Sequence, residues 1–222
     1  MFLRKHRLIT TLVILLITGL AYLLGWSNVF TIKGLHFSGA PTKASQQTVK
    51  GLTNLTIGER LARIEVRKIS ARIETLPWVE TASVSRNWVS GGVDVVVNPR
   101  IPVATFNGEL MDATGKRFEL PGGYNGKLPS VFARDAKSGL AATNLFRKLP
   151  TEFSTRTSAF TATSPENIYF KISEGKRSIL VIWGAGNEIA LKLKVYKALL
   201  ALPENSRVTK IDLTEPHSPI VK

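Results

Sequence analysis

The side chains able to do chemistry in this sequence are few and far apart. There are three histidines, His6, His36 and His217. None has a second histidine or an acidic neighbour at the spacing that holds a metal ion. Cysteine is absent, which excludes thiolate nucleophiles, thiolate metal sites and disulfide exchange. A serine nucleophile needs a sharp turn to present it and a histidine to take its proton, and no Gly-x-Ser-x-Gly occurs. Glycosidic cleavage needs two carboxylates facing one bond. Glu109 and Asp112 are close in sequence, but their odd offset on a strand sends them to opposite faces. Glu59 and Glu65 sit among basic residues, which hold carboxylates as ordinary anions. Gly91 and Gly92, like Gly122 and Gly123, lack the helix and lysine that would make a phosphate loop. The residues point away from catalysis, and no cofactor or metal is expected.

The elements that would position any functional group begin with an apolar run. Residues 8–26 carry no charge and directly follow Arg4, Lys5, His6 and Arg7. As a helix this run spans roughly 28 Å, close to the ~30 Å hydrocarbon thickness of a bilayer. The hydroxyls of Thr10, Thr11 and Thr18 can bond back to carbonyls one turn earlier, and Tyr22, Trp26 and Phe30 suit the headgroup region. Arg4, Lys5 and Arg7 act as the topology signal that keeps residues 1–7 cytoplasmic. A cleaved signal peptide shares the charged start, but the run exceeds the usual apolar length. Ser27, Asn28, Val29 and Phe30 also offer no small-x-small cleavage site. The reading is a single uncleaved anchor with the bulk of the chain outside the cytoplasm.

Three of the 30 Lys and Arg residues precede the anchor, leaving 27 against 16 acids, about +11, on the external part. Such a field attracts polyanions. Nucleic acid is not expected there, because the aromatics fall in strand-like patterns rather than basic stacking platforms. Anionic lipid headgroups or wall polymers are the candidate partners, and a solubilising surface without a ligand is the alternative.

Residues 31–100 read as strand, helix, helix, strand, strand. Ile32, Leu35 and Phe37 open a strand ended by Ser38 and Gly39. A helix capped by Thr42 or Ser45 is expected to stop at Gly51, with Leu55, Ile57 and Leu61 anchoring the linker after it. Val66, Ile69, Ile73 and Leu76 make one helical face, ended by Pro77. Ala82, Val84 and Trp88 then alternate, interrupted by Arg86, and Val93, Val95 and Val97 alternate up to Pro99. Residues 101–222 read as a mixed β domain with two flanking helices. Asn107 and Gly108 give the hairpin signal, residues 138–149 and 189–202 the helices, and Val208, Ile211 and Leu213 the last strand, with Ile220 and Val221 ending the chain. The fold class is α+β.

The basic tail, single anchor and β-α-α-β-β order resemble a POTRA domain. Leu76, Pro77, Trp78 and Val79, then Ala82, Ser83, Val84, Arg86 and Trp88, then Arg100, Pro102, Val103 and Ala104 resemble the FtsQ/DivIB cell-division family in order and spacing. The match extends through Leu110 to Phe118 and through residues 192–222. Pro99 departs from the family, many of whose members carry an acidic residue there; it removes a ladder N–H, so pairing should end or bulge. The short tail is a second departure and makes a large cytoplasmic interaction surface unexpected.

The resemblance implies a non-catalytic scaffold at the division septum. It would link early components to late septal wall synthases and bind FtsB/FtsL-like coiled-coil proteins through the end of the β domain. An open last strand offers unpaired N–H and C=O groups to which a partner strand can add. The expected segment is 209–221, with Thr209, Lys210, Asp212, Thr214, Glu215 and Ser218 available to the partner and Ile211 and Leu213 holding the strand to the core. Ser38, Gly39, Arg86 and Trp88 are the candidate POTRA contacts, although Arg86 also reads as a structural residue extending its charged end. A POTRA adaptor of export or outer-membrane assembly and an anchored wall hydrolase remain the alternatives.

Overall fold

In the computed structural model the backbone is described for residues 2–25 and 29–222, and side chains for residues 10–22 and 29–222. The first helix, α1, spans Phe2–Gly25. Its described side chains are all exposed, and Thr18 Oγ1 donates to Ile14 O at 2.8 Å. Among the described residues no helix is long and apolar enough to cross a membrane. The expected span, 8–26, runs past the described side chains at both ends. The side chains of Arg4, Lys5 and Arg7, and Trp26 altogether, lie outside the described residues.

The chain divides into two units: residues 1–100 with 120–123, and residues 101–119 with 124–222. In the first, β1 (Gly34–Ser38), α2 (Lys43–Thr53), a 3₁₀ turn (Leu61–Arg63), α3 (Val66–Glu74), β2 (Val79–Asn87) and β3 (Gly92–Pro99) follow in order. The sheet runs β1-β3-β2, with β1 parallel and β2 antiparallel to β3. Val93, Val95 and Val97 point into the core with Ile69, Ile73, Trp78 and Leu61, as the period of two on β3 requires. Gly39 takes φ +85°, and a Cβ there would lie 1.8 Å from Val97 O; no other residue fits this crossing.

Two local expectations are corrected. Helix α2 passes through Gly51 to Thr53 and stops at Asn54, whose φ of 51° supplies the left-handed C-cap. Its N-terminus carries a capping box between Thr42 and Ser45. Ile57 is exposed rather than anchoring. The loop around it is held by main-chain bonds, Gly58 N–H to Ile32 O at 2.9 Å and Ile32 N–H to Glu59 O at 2.8 Å, so it needs no apolar anchor, and Ile64 is buried in its place. At Pro99 the β2–β3 register shifts, the bulge expected from the missing N–H.

The second unit contains β4 (Pro102–Phe106), β5 (Glu109–Asp112), β6 (Arg117–Phe118), β7 (Ser130–Ala133), α4 (Ala136–Lys148), α5 (Thr151–Ser154), β8 (Thr157–Ser164), β9 (Asn167–Glu174), β10 (Arg177–Gly184), α6 (Ile189–Ala201), β11 (Lys210–Asp212) and β12 (Ile220–Val221). Among the described residues these strands make one mixed sheet, β12-β11-β10-β9-β8-β7-β4-β5-β6. Asn107 and Gly108 both have positive φ, 50° and 95°, and join β4 to β5. Helix α4 starts earlier than the apolar pattern suggests because the Asp135 carboxylate accepts from Ser138 N–H at 2.8 Å. The short α5 was not legible in the sequence, yet it delivers Phe153 edge-on to Phe170, Trp183 and Tyr196 at 5.9, 6.1 and 5.2 Å. This aromatic cluster fixes β9, β10 and α6 together.

Candidate partner-binding edge

The functional region predicted for residues 209–221 is built on β10. Leu180 N–H donates to Thr209 O at 2.9 Å and Leu213 N–H to Ile182 O at 2.8 Å, which lays β11 parallel to β10. Ile211 and Leu213 are fully buried beneath it. The open edge does not fall on β11, however. Lys210 N–H donates to Lys222 O at 3.0 Å and Lys222 N–H to Lys210 O at 2.9 Å, so β12 covers it. A two-residue strand has no visible periodicity, and only this long-range pairing reveals it.

The edge is therefore β12. Antiparallel pairing alternates: Lys222 turns its polar groups inward to Lys210, so Val221 turns its N–H and C=O outward. Val221 packs its side chain against the core, while Ile220 is 58% exposed. The turn between β11 and β12 is tied by Thr214 N–H to Asp212 Oδ1 at 3.0 Å and Ser218 N–H to Glu215 O at 3.0 Å. Thr209, Thr214, Glu215 and Ser218 are exposed, and Lys210 and Asp212 half-buried.

One supporting residue escaped the sequence reading. Lys192 on α6 is fully buried and donates to Trp183 O at 2.7 Å, Ala185 O at 3.1 Å and Asn187 Oδ1 at 3.4 Å. It closes the end of β10, where Gly184 (φ +74°) lies against Thr214. Burial pulls the Lys192 ammonium below its usual range, partly opposed by Glu188, Glu215 and Asp212. The only signal in the sequence is its place four residues before Tyr196, on the buried face of α6. Register also assembles a row that no single segment shows: Ile182 faces Tyr169, Tyr169 faces Thr161, and Thr161 faces Phe132. Their neighbours in each strand are the buried core residues, so this row lies on the opposite face of the sheet.

The candidate POTRA residues do not form one cluster. Ser38 pairs with Val96 near the end of β3, whereas Arg86 pairs with Val93 near its start. Arg86 and Trp88 do meet, guanidinium over indole at 5.2 Å. Arg86 also donates to Leu61 O at 3.0 Å.

The carboxylates weighed as catalytic pairs have other partners. Asp112 accepts from Thr114 N–H, Thr114 Oγ1 and Lys116 N–H at 2.9, 2.6 and 3.0 Å, which makes it a turn residue. Glu109 pairs with Arg117 at 3.3 Å and Glu65 with Lys68 at 2.7 Å. Among the described residues no three His, Cys, Asp or Glu side chains gather where they could hold a metal ion.

A β-α-α-β-β unit with its first strand parallel to its last, followed by a helix-backed mixed sheet, defines a POTRA-containing protein of the α+β class. Residues 30–100 match the family model described as "POTRA domain, FtsQ-type", and residues 103–214 match "Cell division protein FtsQ/DivIB, C-terminal". The chain belongs to the FtsQ/DivIB family of cell-division proteins. It is similar to a cell division protein FtsQ of Streptomyces venezuelae, at 28% identity over 229 residues covering 96% of this chain and 82% of that protein.

Proposed function

We propose that this protein is a non-enzymatic, single-pass scaffold of the division machinery, with residues 1–7 cytoplasmic, 8–26 in the membrane, a POTRA domain over 31–100 and a β domain over 101–222. It works at the septum, joining early components to late wall-synthesis proteins through an FtsB/FtsL-type complex. The observation that carries this reading is the outward N–H and C=O of Val221 on β12. A partner strand adding there gains main-chain hydrogen bonds, and Ile220 beside it supplies apolar contact. Thr209, Lys210, Asp212, Thr214, Glu215 and Ser218 line the approach on β11 and its turn, while Ile211 holds β11 to the core. Family membership supports the division role and the uncharged run 8–26 supports the anchor. Depleting the protein in its own cell tests the role: filaments without completed septa are expected, and normal division contradicts it.

A further inference from the structure

One tip of the POTRA unit exposes a group of apolar side chains. In the turn between β2 and β3, Val89 is 96% exposed and Trp88 37%, where polar turn residues are the rule. The indole of Trp88 meets the ring of Phe30 edge-on at 6.0 Å, and Val29, one residue earlier, is 61% exposed. Isolated exposed hydrophobics are ordinary, but a cluster rimmed by polar residues marks a contact surface. This cluster is also rigidly built. Lys33 N–H donates to Gly91 O at 2.8 Å and Leu61 N–H to Phe30 O at 3.0 Å, while the Arg86 guanidinium sits over the indole at 5.2 Å and donates to Leu61 O and Ile64 O at 3.0 and 3.4 Å.

Two further observations say what covers it. Helix α1 approaches the 3₁₀ turn Leu61–Arg63 on which Arg86 is seated. Between Gly25 and Val29 the chain has four residue steps, which reach at most about 14 Å. The tip is therefore bound to lie beside the end of α1. The three segments that meet here, residues 29–33, 54–63 and 86–91, carry Lys33, Arg60, Arg63 and Arg86 against the single acid Glu59.

We propose that Val29, Trp88 and Val89 rest on the headgroup region of an anionic bilayer, with Lys33, Arg60 and Arg63 around them meeting lipid phosphates. The proposal rests on reading α1 as a membrane anchor. A Trp flanked by aliphatic residues and cations suits the interface, where the ring is half solvated and the charges remain wet. The POTRA unit is then held against the membrane at two points, the anchor and this tip, which fixes its orientation as well as its height.

Because the chain has no cysteine, Val89→Cys can carry one environment-sensitive fluorophore on the full-length protein, and Leu16→Cys in α1 a second, in a separate preparation. Both are reconstituted in phosphatidylglycerol-containing and in phosphatidylcholine-only bilayers. The expected result is blue-shifted, brighter emission from residue 16 in both lipids and from residue 89 only with phosphatidylglycerol, reversed by high salt. If residue 16 reads apolar while residue 89 reads aqueous, or reads the same in both lipids, the docking proposal is overturned and the anchor stands. An aqueous signal from residue 16 overturns the anchor and the docking with it.

Discussion

Lys210 and Lys222 exchange a pair of backbone hydrogen bonds, 3.0 and 2.9 Å long, and in doing so decide which residue of the sheet edge is free to meet a partner. The pairing seals β11 and turns the polar groups of Val221 outward. It also separates two residues that look equivalent as strand members. The main-chain groups of Ile211, directly opposite Val221, face β10 by the same alternation.

Ile211→Pro therefore tests the fold and not the interface. It deletes a ladder bond to β10 and a fully buried side chain, and is expected to cost about 3 kcal/mol or more. The check is a lowered urea midpoint for the β domain.

Gly39→Ala is expected to destabilise the POTRA unit by about 2 kcal/mol or more, because it combines positive φ with a Cβ driven into Val97 O. Thermal unfolding of the variant measures it. Ser38→Ala, on the exposed strand end beside it, should leave the transition within about 0.5 kcal/mol.

Lys192 makes stability depend on pH in a definite direction. Its folded pKa lies below 10.5, so between the two values the unfolded chain holds the proton that the native chain has released, and stability rises with pH across that window. Lys192→Met should abolish this rise. At neutral pH it should also cost about 1–3 kcal/mol through the orphaned carbonyls of Trp183 and Ala185. Denaturant titrations at a series of pH values read both effects.

Tyr196 acts oppositely. Burial, and then its hydrogen bond to Glu174 at 2.9 Å, hold the phenol protonated well above the ordinary value of 10.0. The unfolded chain ionises first, so stability is lost as pH rises past 10. Tyr196→Phe should be about 1 kcal/mol less stable at pH 7 but lose less on going to pH 11, which the same titrations resolve.

Much of this architecture was legible because local periodicity and turn chemistry decide it. Val93, Val95 and Val97 announce their strand, Asn107 and Gly108 their hairpin, and Pro99 its bulge. What stayed hidden depends on contacts between distant residues. Strand β12 is two residues long and exists only through Lys210. Lys192 looks like a surface cation until α6 is docked on Trp183. The row of Phe132, Thr161, Tyr169 and Ile182 arises from the register of four strands. Ile57 misled because main-chain bonds, which leave no trace in side-chain type, replaced the apolar anchor.

Strand addition at β12 is read out by the affinity of the full-length protein for an FtsB/FtsL-type partner complex, comparing Val221→Pro with Val221→Ala. Proline removes the outward N–H without touching the bonds that Lys222 makes to Lys210. A loss of affinity of at least about tenfold, roughly 1.4 kcal/mol, is expected for the proline variant alone, with both variants unfolding at the same temperature. Equal affinities for the two variants would contradict strand addition at β12.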